Sequence, residues 1–270
     1  MGARSSGEFR VRYGPWAIVA GASEGLGRAF ATELAGRGVH VVLVARRAGP
    51  LESVAVDIAA TGTVEVRTVV ADLATTAGHD AVSAAVADLD VGLVVANAAF
   101  SPIGSFVETP LDDLVRALDV NCRSALLLAR SRVPAMAGRG SGGLVLVSSL
   151  AGLQGSPGLS TYAATKAFLT TLAEGLWYEL RPLGVDVVAC CAGAVGTPGF
   201  AGASTRPAPG TLPPEVVART TLDALGSGCR VVPGSVNRVA GFLMVRVLPR
   251  RAAIAIMAKA SSGLARSSPA

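Results

Sequence analysis

Tyr162 and Lys166, in Tyr-Ala-Ala-Thr-Lys, stand four residues apart and share one face of any helix that holds them. A phenol ionises near pH ~10, each unit of depression takes about 1.4 kcal/mol, and a neighbouring cation supplies part of it. Such a pair could exchange protons with a substrate near neutrality. Alone, this spacing is common on exposed helices. Ser149 lies thirteen residues before Tyr162, just past the apolar run Leu144–Val147. Asn121 sits in an earlier helical stretch. The question is which elements bring these side chains together, and beside what.

Short valine-rich runs at Trp16–Ala20, Val39–Ala45, Val64–Ala71, Val91–Ala96, Gly143–Ser148, Val185–Cys191 and Arg230–Pro233 alternate with helical patterns. The latter are Leu26–Arg37, Leu51–Ala60, Thr75–Leu89, Leu111–Ala137, Thr161–Arg181 and Glu215–Leu225. That alternation predicts βαβ units in an α/β fold. The expectation is a single-domain, Rossmann-type, doubly wound parallel sheet of about seven strands with helices on both faces. Residues 1–14 read as a flexible leader, 15–234 as the dinucleotide-binding and catalytic domain, and 235–270 as a basic, apolar C-terminal tail. Ala192–Pro214 reads as a loop.

In open parallel sheets, ligands bind beyond the carboxyl ends of the strands. The first strand ends in Gly21-Ala-Ser23-Glu24-Gly25-Leu26-Gly27 and opens a helix. Glycines let phosphates approach the backbone, and the helix N-terminus favours their charge. The second strand ends in Ala45-Arg46-Arg47, where an acid would favour a free ribose 2′-hydroxyl. Two guanidiniums there favour a 2′-phosphate, so NADP(H) is expected over NAD(H). Glu24 counts mildly against a phosphate nearby.

Composition narrows the alternatives. The chain has 270 residues, 51% hydrophobic and 16% charged, with net charge +5. A sizeable core is possible and global disorder is excluded. The basic excess lies at the two ends, without a basic, aromatic-interleaved stripe, so no nucleic-acid partner is expected. Cys122, Cys190, Cys191 and Cys229 show neither CxxC nor metal spacing. They read as reduced thiols of a cytoplasmic protein, and no metal site is expected. No signal peptide and no membrane span are read. Met1–Ser6 fits the short N-myristoylation pattern, which chance often produces.

Together the motifs resemble the short-chain dehydrogenase/reductase family over about Trp16–Pro233. Gly21–Gly27 is similar to its TGxxxGxG, Asp72-Leu73 to its adenine-contacting DL, and Asn97-Ala98 to part of NNAG. Asn121, Ser149, Tyr162 and Lys166 match its catalytic tetrad. Three positions depart: Ala96 and Ala99 replace residues of NNAG, and Cys191-Ala192-Gly193 stands where the family has a PG pair. The resemblance implies Tyr162 as general acid/base, and Lys166 lowering its pKa while holding the nicotinamide ribose. It further implies Ser149 orienting the substrate oxygen, Asn121 holding a relay water, and Val195 and Thr197 meeting the nicotinamide. His40 and His79 are expected to be structural.

Pocket candidates Phe100, Leu150, Leu159 and Phe200 favour an apolar carbonyl/alcohol substrate, steroid-like or 3-oxoacyl. A homodimer or homotetramer through Leu111–Ala137 and Thr161–Arg181 is implied by the family. Residues 236–259 mix apolar side chains with arginines: this tail packs over the substrate entrance or a subunit, or touches a membrane peripherally. Other readings on the same fold are a non-catalytic NADP(H)-binding sensor and a membrane-surface scaffold.

Overall fold

The computed structural model describes residues 5–198 and 209–262. Seven strands form one parallel sheet: β1 (Trp16–Ala20), β2 (His40–Ala45), β3 (Val66–Val70), β4 (Val91–Ala96), β5 (Gly142–Ser149), β6 (Val185–Ala192) and β7 (Arg230–Val231), in the order β3-β2-β1-β4-β5-β6-β7. The order reverses between β1 and β4, where a doubly wound sheet opens its ligand crevice. β1 and β4 are buried along their whole length, as helices on both faces demand. On one face lie α2 (Gly25–Gly36), α3 (Ala48–Ala59) and α8 (Pro214–Asp223); on the other, α4 (Thr76–Ala85), α6 (Ser124–Arg139) and α7 (Ser160–Leu180).

The sequence reading needs correction in two places. Ser6–Tyr13, expected to be flexible, is a helix, α1, with a capping box between Ser5 and Glu8. Phe9 and Tyr13 are its anchors, 1% and 0% exposed. The Tyr13 hydroxyl donates to Asp186 at 2.7 Å, and Arg37 stacks on the Phe9 ring. The long helix expected over Leu111–Ala137 is α5 (Leu111–Leu118), a π turn over Asp119–Arg123, and α6. The tail is α9 (Ser235–Phe242), a second π turn (Leu243–Val247), and α10 (Arg250–Ser261), which starts after Pro249. Proline at that position fits a helix start and cannot continue the preceding one.

Candidate active site

β5 delivers Ser149 in extended backbone, and its Oγ accepts from the Ala151 N–H at 3.2 Å. The Tyr162 hydroxyl, in the first turn of α7, lies near the Ser149 side chain. Lys166, 2% exposed, lies one turn further on, with Nζ 5.4 Å from the Tyr162 ring centroid. α7 is fixed to β5 by the buried Ser148 hydroxyl, which donates to the Lys166 carbonyl and pairs with Thr170, both at 2.7 Å.

Asn121 enters from the π turn, where one extra residue per turn swings its side chain toward α7. Its Oδ1 accepts from the Phe100 N–H at 2.7 Å, while Nδ2 donates to the Phe100 carbonyl and Thr165 Oγ1, both at 2.9 Å. Thr165 donates in turn to the Tyr162 carbonyl at 2.7 Å. Both amide protons are thus used by the protein, and this amide clamps the loop after β4 to α7. Thr165, buried inside the Tyr-Ala-Ala-Thr-Lys signature, was missed by the motif reading because only Tyr and Lys define it.

Burial dominates the electrostatics of this pair. The Lys166 ammonium donates to the Val147 carbonyl at 2.8 Å. Burial pushes the phenol pKa up, and the Ser149 hydroxyl nearby offsets this only in part. Desolvation also lowers the Lys166 pKa to about 8, although Cys122 and Cys190 nearby act the other way. Burial raises those two thiols to about 11 and about 12, so both are neutral around neutrality.

The glycine loop is shaped for close approach. Gly21 and Gly25 have φ of +73° and +54°, values that side-chain-bearing residues rarely adopt. A Cβ on Gly21 would lie 2.8 Å from Ala98 Cα, one on Gly25 would lie 2.9 Å from Thr197 Cγ2, and one on Gly27 would strike the Gly21 carbonyl. Asn97 Nδ2 donates to the Ala20 and Gly21 carbonyls at 3.1 and 3.2 Å, tying the ends of β1 and β4 together. This bare backbone before α2 fits a dinucleotide's phosphates. Ser23, Glu24 and Leu26 complete the loop.

Around the rim, Arg47 pairs with Glu24 at 2.7 Å, and Arg46 is exposed. Burial opposes ionisation of Asp72, but Arg116 at 2.8 Å, the Ala74 N–H and the charge of Arg46 hold its carboxyl below the usual range. Leu73 is buried behind it. Val195 forms a parallel bridge to Leu212, which positions the turn carrying Thr197.

The apolar candidates separate. Leu150 is part-exposed beside Ser149 and touches the tail, with its Cδ2 3.3 Å from a Cβ built on Gly241. Leu159 is buried at 8%. The Phe100 ring lies under the Arg116 guanidinium, at the Asp72 end of the cleft. Phe200 lies outside the described residues. A groove of about 670 Å³ between α1, α2 and α3 lies near the amino ends of β2 and β3 and holds none of these residues.

Comparison with known proteins agrees with this arrangement. The family model for short chain dehydrogenase matches residues 15–207. The chain is 32% identical over 233 residues to a 7beta-hydroxysteroid dehydrogenase of Clostridium sardiniense, covering 85% of this chain and 89% of that protein. It is 35% identical over 188 residues to an inactive hydroxysteroid dehydrogenase-like protein 1 of Pongo abelii, covering 68% of this chain and 56% of that one. A solved 7beta-hydroxysteroid dehydrogenase structure superposes with a TM-score of 0.86 at 28% identity, covering 92% and 98% of the two chains. A short-chain dehydrogenase from Sphingobium yanoikuyae in complex with NADPH superposes with a TM-score of 0.74 at 30% identity, covering 81% and 87%.

The chain belongs to the short-chain dehydrogenase family. It is an oxidoreductase acting on CH–OH groups.

Proposed function

We propose that this protein is an NADP(H)-dependent oxidoreductase interconverting an apolar ketone and its secondary alcohol, with Tyr162 as the proton donor and acceptor. The observation that carries it is the convergence of the Ser149 and Tyr162 side chains beside buried Lys166. When bound, the nicotinamide cofactor supplies or takes the hydride. Gly21–Gly27 would hold its phosphates, Asp72 and Leu73 its adenine, Lys166 its ribose, and Val195 and Thr197 its nicotinamide end. Ser149 and Tyr162 present two hydroxyls to one substrate oxygen, which orients that oxygen and stabilises the charge it develops. Tyr162 then gives up its proton on reduction or takes one on oxidation. The upward shift of the phenol keeps it protonated at neutrality, which suits reduction.

A steroid-like or 3-oxoacyl substrate is supported by the part-exposed Leu150 beside Ser149 and by the hydroxysteroid relative. Screening such ketones and alcohols with both cofactors, by nicotinamide absorbance, tests the reading. No turnover of any apolar carbonyl or alcohol would sink it. The inactive relative favours a second reading, a non-catalytic NADP(H) binder. Retention here of Asn121, Ser149, Tyr162 and Lys166 weighs against that.

Preference for the 2′-phosphate rests on Arg46, because Arg47 is engaged by Glu24. Loss of one charge-assisted hydrogen bond costs roughly 1.5–3 kcal/mol. Arg46→Ala should therefore weaken NADPH binding about tenfold or more while leaving NADH nearly unchanged, as read by fluorescence titration. Equal losses for both cofactors would rule out a phosphate contact.

A dimer is supported by the apolar surface on α5, α6 and α7, where Val115, Leu118, Leu126 and Phe168 are exposed. Phe168→Asp should shift the protein to a smaller species in analytical ultracentrifugation. An unchanged sedimentation coefficient would place any subunit contact elsewhere.

A further inference from the structure

In α9 the amphipathic pattern is turned outward. Asn237 and Gly241 face the protein and are buried, whereas Val236, Val239, Phe242 and Leu243, on the opposite side of the helix, are 56%, 59%, 61% and 41% exposed. The exposed apolar surface continues through Val245 and Val247 of the π turn and Ile256 of α10. The segment is held firmly from behind. Gly241 packs on Leu150 and Leu153, and Ile254 packs on Gly155. Arg250 donates to the Leu153 carbonyl at 2.8 Å, and Ser261 donates to the Pro157 carbonyl at 2.7 Å. The stripe is therefore not core that has come loose. It is a face displayed by a docked element.

Charge indicates what covers it. From Ala224 to Ala270 the sequence has no Asp or Glu. Arg238, Arg246, Arg250, Arg251 and Lys259 are all exposed around the stripe. A second copy meeting this face symmetrically would set these cations against one another, with no carboxylate in the segment to separate them. An anionic lipid surface suits both features, since its phosphates pair with guanidiniums and its acyl boundary takes the valines and Phe242. No helix of the described residues is long and apolar enough to cross a membrane, so the segment would lie on the bilayer rather than span it.

We propose that α9, its π turn and the start of α10 form a docking face for an anionic bilayer. Docking there would hold the membrane against the element that packs on the Leu150–Pro157 loop, next to Ser149.

Flotation of the full chain with vesicles tests this. Binding is expected to phosphatidylcholine vesicles containing phosphatidylglycerol, weakly to phosphatidylcholine alone, with release by salt. Arg246→Ala with Arg251→Ala should weaken partitioning about thirty-fold, at roughly 1 kcal/mol per cation. Val239→Ser with Phe242→Ser, both at exposed sites, should weaken it about tenfold or more with an unchanged circular dichroism spectrum. Absence of the wild-type chain from the floated fraction would overturn the proposal. So would equal binding to neutral vesicles, or a wild-type oligomer that Phe242→Ser dissociates without any lipid binding.

Discussion

Tyr162→Phe is expected to reduce turnover about a thousand-fold or more while leaving NADPH binding close to wild type. Removal of a positioned proton donor costs about 10²–10⁴ in rate, and here the same hydroxyl shares the substrate oxygen's place with Ser149. Phenylalanine keeps the ring, so the packing around Lys166, whose Nζ lies 5.4 Å from the ring centroid, is retained. Single-turnover kinetics with NADPH and any ketone that is turned over would measure the loss. Direct titration by nucleotide fluorescence would show whether binding survives. A variant within tenfold or so of wild type would take Tyr162 out of the proton-transfer role.

Much of this site was legible because its parts are local. The glycine loop announces itself at the end of an apolar strand, and Tyr162 and Lys166 are one helical turn apart by spacing alone. Valine-rich runs buried on both faces made the parallel sheet readable with boundary errors of a residue or two. What escaped depends on contacts distant in sequence. α1 offers only Phe9, Val11 and Tyr13 among polar residues, and its anchors acquire meaning only against Asp186 and Arg37. The partner of Arg47 is a loop glutamate, and no spacing rule reveals that pair. Nor does spacing reveal what Lys166 itself touches. Its ammonium meets the Val147 carbonyl in a dry pocket, where desolvation is the largest influence on both groups.

That desolvation leads to the second large effect. Lys166→Met should abolish detectable reduction and yet stabilise the cofactor-free protein. The Lys166 pKa falls from its usual 10.5 to about 8 on folding. Below pH ~8 the ammonium is charged in both states, and folding bears the full cost of burying it, about 3 kcal/mol. Between the two values the unfolded chain binds more protons, so wild-type stability should climb as pH rises, the cost vanishing above pH ~10.5. Methionine, of similar length and uncharged, should raise the denaturant midpoint at pH ~7 and flatten that climb. Urea unfolding across this range would show it. A variant less stable than wild type at neutral pH would mean that the ammonium's bond to Val147 outweighs its burial. The same titration bears on activity, since free-enzyme kcat/KM for reduction should fall as pH rises through about 8 and the ammonium is lost.

The π turn at Asp119–Arg123 holds one residue more than a regular turn, a surplus that a regular helix could not take up without turning its downstream faces by about 100°. Deleting one residue there would restore a regular ladder and leave α6 facing as it does now, because the surplus is taken up within the wide turn itself. Ser124, Leu128 and Met136 would stay buried, but Asn121 would lose the wide turn that aims it at Phe100 and Thr165. What that residue supplies is the aim of one side chain rather than the packing of a helix.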